Sequence, residues 1–291
     1  MASTLDIQYR TESDGIAILT FDMPESRANI LTRPVWDDLR SALKALRIRP
    51  GVTGLVLASA KPGIFIAGAD LKFLGSIDRP DHPAIRELMP YGLSVLEMLE
   101  TLPFPTCAAI DGAALGGGLE VALACDFRVA GSNPKVELGL PELRLGLIPG
   151  WGGTQRIIRL VPGEVALAMM LRSKSLSGAE AASAGLVEQS GCDDPIAAAI
   201  EVLKTSDRTP KRLAKAEPLP LVERELLDEL LRNQSGEASE AARELLSVFS
   251  RGAAQPLADA LPFETAAFCR LAGSDRSRAL IAEFFASRKK A

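Results

Sequence analysis

The sequence predicts an α/β fold that is followed by a helical C-terminal region. In the N-terminal part of the chain, short β-branched or apolar runs alternate with amphipathic runs at helical spacing. From about residue 195 the strand signals fade, and amphipathic segments with acidic starts take over. This change of pattern predicts a mixed part over 1–195 and a helical C-terminal part over 196–291.

The alternation can be followed element by element. Strands are predicted at the apolar runs 16–21, 54–59, 105–110 and 127–131. Helices are predicted at 35–47, 83–102, 222–232 and 239–250, where apolar residues recur at helical spacing. Pro90 predicts a kink or a break in the second of these helices, because proline lacks the backbone N–H that continues the helix.

The composition is that of an ordinary globular protein, and it argues against several classes of partner. The net charge of −4 over 291 residues disfavours a surface that coats nucleic acid. No apolar run is long enough to cross a bilayer, and the start, MASTLDIQYR, lacks the pattern of a signal peptide. The four cysteines form no Cys-x-x-Cys pair, which favours reduced, buried thiols and a cytoplasmic location.

A single histidine, His82, restricts the chemistry that the chain can perform. It excludes a His-rich zinc site, and no Gly-x-Ser-x-Gly elbow accompanies it to suggest a Ser–His–Asp triad. The sequence also lacks the glycine fingerprints of dinucleotide and nucleoside triphosphate binding. General acid–base catalysis is therefore left to carboxylates, lysines or tyrosines.

Two glycine-containing turns are candidates for binding a carbonyl group through backbone amides. In FIAGADL (65–71), small residues let the backbone approach a ligand, and Asp70 is placed as the N-cap or first-turn acid of a helix. In ALGGGLEVALACD (114–126), the glycines 116–118 would form the first turn of a helix, whose N–H groups lack intrahelical partners. One N–H from each segment would make an oxyanion hole. For the first segment, a tight turn without a ligand is an equally open interpretation.

Two glutamates are candidates for acid–base work. Glu120 lies in a helix that is apolar on nearly every side, so it has no obvious solvent face, and a carboxylate placed in this way has a perturbed pKa. Glu142 lies in LPELRLGLIPGWGGTQR (140–156), between a proline and a glycine-rich loop. An ion pair with Arg144 would instead make Glu142 a structural residue, and the sequence leaves this alternative open.

Taken together, these motifs resemble those of the enoyl-CoA hydratase/isomerase (crotonase) family. The resemblance rests on the three quoted segments in their order and spacing, continues through LSGAEAASAGLVE (176–188), and covers roughly 5–190. It implies a spiral of ββα repeats that forms two stacked sheets. From about residue 206 the chain is most similar to the hydratase half of multifunctional fatty-acid β-oxidation enzymes, which implies an additional shift of a 3-enoyl double bond.

The resemblance also implies a set of site residues. The family's oxyanion N–H groups correspond to Ala69 and Gly117, and its two catalytic carboxylates correspond to Glu120, interpreted as the base, and Glu142, interpreted as the acid. The substrate- and CoA-binding positions implied by the resemblance are Ala28, Ala67, Ala69, Asp70, Leu71, Gly117 and Phe268. Where many relatives have a lysine for the CoA phosphates this chain has Ser287, and the candidate substitutes are Arg288, Lys289 and Lys290.

The implied activity is hydration of a 2-enoyl-CoA thioester, because family members with both carboxylates are hydratases. The implied partner is an acyl-CoA substrate, with no metal or redox cofactor, no nucleic acid and no membrane. Compact relatives are trimers or dimers of trimers, which implies a homotrimer or hexamer, although the long C-terminal region leaves the oligomeric state open.

Two alternatives remain at this point. The first keeps the fold and replaces hydration by enoyl-CoA isomerisation or thioester hydrolysis. The second is an RNA-binding or structural member of the family, since some relatives bind RNA through a lysine-rich helix. The matching helix here carries Arg40, Lys44 and Arg47 but also Asp37 and Asp38, and the acidic chain disfavours RNA binding on electrostatic grounds.

Overall fold

Two compact units make up the structure, a computed structural model that describes residues 5–9, 14–207, 217–220, 223–225 and 239–288. The first unit is formed by the ranges 1–69, 92–138 and 176–212. The second unit is formed by the ranges 70–91, 139–175 and 213–291. Within the described ranges, no helix combines the length and the apolar content that crossing a membrane requires.

Most strands form one six-stranded sheet of order β1-β2-β3-β5-β7-β9. Its strands are β1 (Leu5–Tyr9), β2 (Ile16–Phe21), β3 (Gly54–Ser59), β5 (Thr106–Ile110), β7 (Phe127–Gly131) and β9 (Gln189–Cys192). The β1–β2 pair is antiparallel, and the other neighbours are parallel. A second sheet of order β4-β6-β8 contains β4 (Gly63–Ile66), β6 (Gly112–Leu115) and β8 (Glu137–Gly139).

Helices connect and flank these strands. In the first part of the chain they are α1 (Arg33–Arg47), α2 (Leu71–Gly75), α3 (Pro83–Glu100) and α4 (Gly117–Ala124). A 3₁₀ turn (Glu142–Leu145) and the helices α5 (Gly153–Ile157), α6 (Gly163–Leu171), α7 (Gly178–Ser183) and α8 (Pro195–Thr205) follow. The C-terminal helices are α9 (Glu240–Ala253), α10 (Leu257–Leu271) and α11 (Asp275–Arg288).

One face of the six-stranded sheet packs against α8. Alternate residues of a strand point to the same face, so every second residue of β2, β3, β5 and β7 contributes to this core. The strand residues are Ile16, Ile18, Val56, Ala58, Cys107, Ala109, Phe127 and Val129, and the helix contributes Ala199, Ile200, Val202 and Leu203. The residues between them are also buried in the central strands, as expected for a parallel sheet covered on both faces.

The predicted fold class, α/β with a helical C-terminal region, is confirmed, as are the strands at 16–21, 54–59 and 127–131. The first predicted helix begins two residues earlier, at Arg33, because Thr32 caps it: the Thr32 hydroxyl accepts a hydrogen bond from the Val35 N–H at 3.4 Å. Pro90 does not break α3, which is continuous from Pro83 to Glu100. The predicted helix over 222–232 lies largely outside the described residues.

A fully buried cation organises the first unit. Arg128 of β7 is 0% exposed, and burial lowers the pKa of its guanidinium. The guanidinium donates to four backbone carbonyls, those of Leu186 at 2.7 Å, Cys125 at 3.1 Å, Ala122 at 3.4 Å and Asp126 at 3.5 Å. Two of these carbonyls belong to the end of α4, so Arg128 ties the helix terminus to the sheet and supplies donors that the helix lacks.

We expect Arg128→Met to lower the free energy of unfolding by about 3–5 kcal/mol, because it removes the charged donor to the buried Leu186 and Cys125 carbonyls. The matched control is Arg86→Met, which removes an arginine whose side chain is 63% exposed and paired with Asp81 at 3.0 Å. The free energy of unfolding of this control should fall by at most about 1 kcal/mol. Urea titration of both variants checks this, and equal losses would show that Arg128 has no special structural role.

Candidate active site

The parallel pairing of β4 with β6 brings the two glycine-containing turns together. Ile66 is in register with Ala114, so both strands end at the same edge and the two turns leave the sheet side by side. Gly68 has φ +114°, and a Cβ atom at this position would lie 3.0 Å from the Leu115 carbonyl oxygen and 4.0 Å from the Gly117 nitrogen. The backbones of the two turns are therefore in close contact, which only a residue without a side chain permits.

The second turn leads directly into α4, the helix that carries Glu120. Gly116 precedes it with φ 53° and ψ −126°, and a Cβ atom at Gly118 would overlap the Ile66 carbonyl. Every residue of α4 is buried, and Glu120 is 1% exposed. The absence of a solvent face, expected from the sequence, is confirmed. Gly117 occupies the first helical position, where a backbone N–H has no intrahelical acceptor.

A buried asparagine holds the first of the two turns in place. Asn29 is 1% exposed, and its side chain connects three segments. Its amide nitrogen donates to the Phe21 and Phe65 carbonyls at 3.0 Å and to the Ser59 hydroxyl at 2.9 Å, and its oxygen accepts from the Met23 N–H at 3.0 Å. The Asn29 carbonyl accepts from the Ala67 N–H at 2.9 Å, which aligns the backbone just before Ala69.

The implied binding residues of this region lie near these turns in the chain and differ in exposure. Ala28 is half-buried next to Asn29, and Ala67 is exposed. Ala69 is half-buried and lies opposite Leu31 in an isolated parallel bridge, in which the Leu31 N–H donates to the Gly68 carbonyl at 2.9 Å. The structure brings Ala67 and Ala69 into the turn beside Gly117.

Asp70 is the N-cap of α2, as one of the two sequence interpretations states. Its carboxylate accepts hydrogen bonds from the Lys72 N–H at 2.9 Å and the Phe73 N–H at 3.2 Å. Leu71 is the first residue of this helix and is half-buried. Asp70 thus has a structural role that fixes the start of the helix, and both residues belong to the second unit.

Glu142, in the second unit, has a buried carboxyl group without a local cation. Its Oε2 atom is excluded from solvent and has no hydrogen-bond partner among the described residues. Burial raises the pKa of Glu142 to about 8, against the opposing effect of a hydrogen bond from its own backbone N–H, and the negative charge of Glu264 adds a smaller increase. Arg144 is exposed and donates to the Ser173 carbonyl at 3.1 Å, and the described part of the chain shows no ion pair between Arg144 and Glu142. The structural ion pair left open by the sequence is therefore not formed.

Glu264 of α10 is a second buried carboxylate in this unit and is not among the residues that the sequence predicts for the site. It is 0% exposed. Its Oε1 atom accepts a short hydrogen bond from the Gly152 N–H, and its Oε2 atom accepts from the Thr154 N–H at 2.8 Å and the Thr154 hydroxyl at 2.5 Å. Burial raises the pKa of Glu264 to about 7, against the opposing effect of these donors and of Arg156. A signal was present in FETAAF: a charge one helical turn before Phe268, on the same face.

Phe268 packs on the glycine-rich loop that follows Glu142. The ring is 5% exposed, and a Cβ atom at Gly150 would lie 2.7 Å from it. At the end of α11, Ser287 is exposed and its hydroxyl donates to the Phe284 carbonyl at 2.8 Å. The Arg288 guanidinium stacks over the Phe284 ring at 4.3 Å, whereas Lys289 and Lys290 lie outside the described residues. Phe268 thus packs against this loop. Of the three candidate substitutes for the lysine that binds the CoA phosphates in many relatives, only Arg288 lies within the described residues.

No cluster of three or more His, Cys, Asp or Glu side chains with the geometry of a metal site occurs within the described ranges. The sole histidine, His82, is half-buried, and its Nδ1 atom accepts from the Ala84 N–H at 3.1 Å at the start of α3. His82 is therefore a helix-capping residue at the start of α3.

We expect Asn29→Ala to lower the free energy of unfolding by about 3 kcal/mol, because it removes the side-chain donor to the buried carbonyls of Phe65 and Phe21, of which the Phe21 carbonyl also accepts from the Ala60 N–H. Asn133→Ala is the matched control, since Asn133 makes a similar pair of hydrogen bonds at the surface, to Asp111 and from Lys135. The free energy of unfolding of this control should fall by no more than about 1 kcal/mol. Chemical denaturation followed by circular dichroism checks both values, and a small loss for Asn29→Ala would contradict its role as an organiser of the turn.

The buried carboxyl of Glu142 predicts a pH-dependent stability. Its pKa is raised from 4.5 to about 8, so the folded protein holds a proton that the unfolded chain releases within that range. This contribution to the free energy of unfolding is fully present below about pH 4.5 and is lost as the pH rises to about 8. Between about pH 5 and about pH 8, the free energy of unfolding measured by urea titration should fall further for the wild type than for Glu142→Gln. Glu137→Gln, at an exposed position of β8, should behave like the wild type.

Comparison with known proteins agrees with this architecture. The family model for enoyl-CoA hydratase/isomerase matches residues 11–278. The structure of Pseudomonas aeruginosa DspI is 28% identical, covers 84% of this chain and 92% of its own, and superposes with a TM-score of 0.63. Enoyl-CoA hydratase from Bacillus anthracis is 27% identical over 99% of this chain and 96% of its own, with a TM-score of 0.60.

A more distant structure supports the fold alone. An enoyl-CoA hydratase/isomerase from Mycobacterium paratuberculosis is 19% identical, covers 97% of this chain and 99% of its own, and has a TM-score of 0.71. Members of the family act on acyl-CoA thioesters and are typically oligomeric. The family model matches most of this chain, and this match shows that the chain belongs to the enoyl-CoA hydratase/isomerase (crotonase) family.

Proposed function

We propose that this protein is an enoyl-CoA hydratase, which adds water across the double bond of a 2-enoyl-CoA thioester. The observation that carries the proposal is the retention of both motif glutamates, each with a carboxyl group withdrawn from solvent. A single carboxylate is enough for isomerisation or for thioester hydrolysis within this family, so the second carboxylate favours hydration. The substrate's own acyl-CoA group activates the double bond, and the proposal requires no metal or redox cofactor.

The oxyanion hole is the first component of the proposed mechanism. A 2-enoyl thioester accepts a nucleophile at Cβ, and the addition moves negative charge onto the thioester oxygen. The N–H groups of Ala69 and Gly117, at the adjacent ends of β4 and β6, would donate to that oxygen. Each such donor lowers the barrier by about 3–4 kcal/mol in comparable sites, because the charge develops only in the transition state.

Glu120 is the proposed base and Glu142 the proposed acid. Glu120 would take a proton from water as the water oxygen forms its bond to Cβ, and the double-bond electrons would move toward the thioester oxygen. Glu142 would then give its proton to Cα as the carbonyl re-forms, which completes the addition of one water molecule. A carboxyl that remains protonated near neutral pH suits the acid, and this is what burial favours at Glu142. Proton exchange with solvent would restore both residues.

The test is the loss of the conjugated enoyl-thioester absorbance with a series of 2-enoyl-CoA chain lengths, starting with crotonyl-CoA. Glu120→Gln and Glu142→Gln should each lower kcat by about 10²–10⁴-fold, because each removes a proton-transfer group. Glu137→Gln, an exposed glutamate outside the proposed site, is the matched control and should retain the wild-type rate.

Other outcomes would identify the alternatives. If Glu120→Gln retains wild-type activity, the two-carboxylate mechanism is wrong. Release of free CoA thiol without formation of a hydroxyacyl product would identify a thioester hydrolase, and conversion of 3-enoyl-CoA without hydration would identify an isomerase. A salt-sensitive interaction with RNA in the absence of any turnover would identify a binding protein.

A further inference from the structure

A buried loop over residues 146–152 joins the turn that carries Glu142 to α5. The loop forms neither helix nor strand, and each of its residues is buried. Backbone N–H groups that are buried outside regular secondary structure need other acceptors, because an unpaired buried donor is unfavourable. The side chains that supply these acceptors therefore determine the conformation of the loop.

Glu264 of α10 supplies acceptors where the loop ends and α5 begins. Its Oε1 atom accepts from the Gly152 N–H, and its Oε2 atom accepts from the Thr154 N–H at 2.8 Å and from the Thr154 hydroxyl at 2.5 Å. Gly152 is the N-cap of α5 and makes no side-chain cap of its own. The carboxylate of Glu264 thus replaces a local cap, although 112 residues of sequence separate it from Gly152.

The surroundings of Gly152 exclude a local alternative. Its φ is +95°, and a Cβ atom at this position would overlap the guanidinium of Arg156. That guanidinium donates to the Trp151 carbonyl at 2.6 Å. A residue with a capping side chain would fit neither the backbone conformation nor the available space, so the start of α5 depends on a distant acceptor.

The C-terminal helices contact the same loop at two further points. Phe268 lies one helical turn after Glu264 on the same face of α10, and a Cβ atom at Gly150 would lie 2.7 Å from its ring. At the beginning of the loop, a Cβ atom at Gly146 would lie 3.2 Å from the Ser277 Cα atom of α11. Helices α10 and α11 thus contact the beginning, the middle and the end of the loop.

The loop also closes the turn from which the Glu142 side chain extends. The Leu147 N–H donates to the Glu142 carbonyl at 3.1 Å, and the Gly146 N–H donates to the Leu143 carbonyl at 3.1 Å. The Oε2 atom of Glu142 has no hydrogen-bond partner among the described residues. The direction of this carboxyl group therefore depends on its backbone, and a displacement of the loop moves that backbone.

We propose that Glu264 is a positioning residue: by capping the start of α5 it holds the 146–152 loop, and through this loop it orients the proposed proton donor Glu142. The catalytic part of this inference rests on the hydration proposed above, whereas the anchoring of the loop does not. Glu264 itself transfers no proton. Loss of its cap should lower the rate of proton transfer, which depends on precise geometry, and leave substrate affinity largely unchanged.

The two tryptophans of the chain make the anchoring observable without substrate. Trp151 lies in the loop, whereas Trp36 lies in α1 of the first unit, and both are buried. A proton–nitrogen correlation spectrum of the full chain contains one indole N–H signal for each, and Trp151→Phe assigns them. Glu264→Gln replaces one acceptor oxygen by a donor, so the Trp151 signal should shift or broaden while the Trp36 signal stays in place.

Matched variants make this test decisive. Asp259→Asn is the same exchange at an exposed position of α10 and should leave both indole signals unchanged. If Glu264→Gln does not fold, the Trp36 signal is lost as well, and Thr154→Val then decides. This variant removes the hydroxyl donor to Glu264 and retains the backbone N–H, so the Trp151 signal should shift by a smaller amount. An unchanged Trp151 signal in every folded variant of the cap would overturn the proposal.

Hydration kinetics with crotonyl-CoA separate positioning from a merely structural role. Glu264→Gln should lower kcat by about 10²-fold and leave KM within about threefold of the wild type. In a Glu142→Gln background, the same change should lower kcat further by less than about threefold, because the group that Glu264 orients no longer transfers a proton. A general structural defect would lower kcat by the same factor in both backgrounds, and this result would contradict the positioning role.

The two measurements also separate this inference from the proposed function. If the wild type hydrates no 2-enoyl-CoA, the proposed function is wrong, and the Trp151 signal alone decides whether Glu264 anchors the loop. If hydration occurs and the Trp151 signal moves, but kcat falls equally in both backgrounds, the function stands and the orientation of Glu142 by Glu264 is wrong.

Discussion

The parallel pairing of β4 with β6 is the constraint on which the proposed oxyanion site of the first unit depends. Parallel strands end at the same edge of a sheet, so the register of Ile66 with Ala114 places two glycine turns next to each other. Backbone amides at that edge become available because the sheet ends and a helix begins. Neither turn alone would make a site for a carbonyl group, since a single N–H has neither the strength nor the geometry of a pair.

Three buried polar side chains hold backbone segments in place, and each forms a different set of hydrogen bonds that compensates for its burial. Asn29 uses its amide to join strand ends, and Arg128 uses five potential donors on carbonyls that helix and loop leave open. Glu264 performs the complementary task, because it accepts from N–H groups at the start of α5, where a helix leaves its first N–H groups without backbone acceptors. In all three residues the side chain replaces secondary structure where the backbone is irregular, and this explains why such residues tolerate full burial.

The local sequence pattern predicts those parts of the fold and of the candidate site that depend on neighbouring residues in the chain. The strands 16–21 and 127–131 follow from apolar content, and the burial of Glu120 follows from a helix that is apolar on all sides. Asn29 and Glu264 could not be found in this way, because their partners are distant in sequence: Phe65 is 36 residues from Asn29, and Gly152 is 112 residues from Glu264. The helical spacing of Glu264 from Phe268 indicates a shared helix face, but it does not identify the distant backbone groups that Glu264 binds. The start of α1 differs from the prediction for a simpler reason: the apolar pattern begins at Val35, whereas the helix begins at Arg33 because Thr32 caps it.

The crowding around Gly118 determines where substrate preference can be altered in this protein. The helix start is pressed so closely against the Ile66 carbonyl that any larger residue displaces the backbone, and the amide at Gly117 moves with it. Attempts to reshape acyl-chain preference by adding bulk at the glycines would thus displace the Gly117 amide, the proposed donor to the thioester oxygen, before changing the shape of its surroundings. Directed evolution should leave this segment untouched and draw its diversity from side chains elsewhere, where volume can change while the amide geometry is preserved.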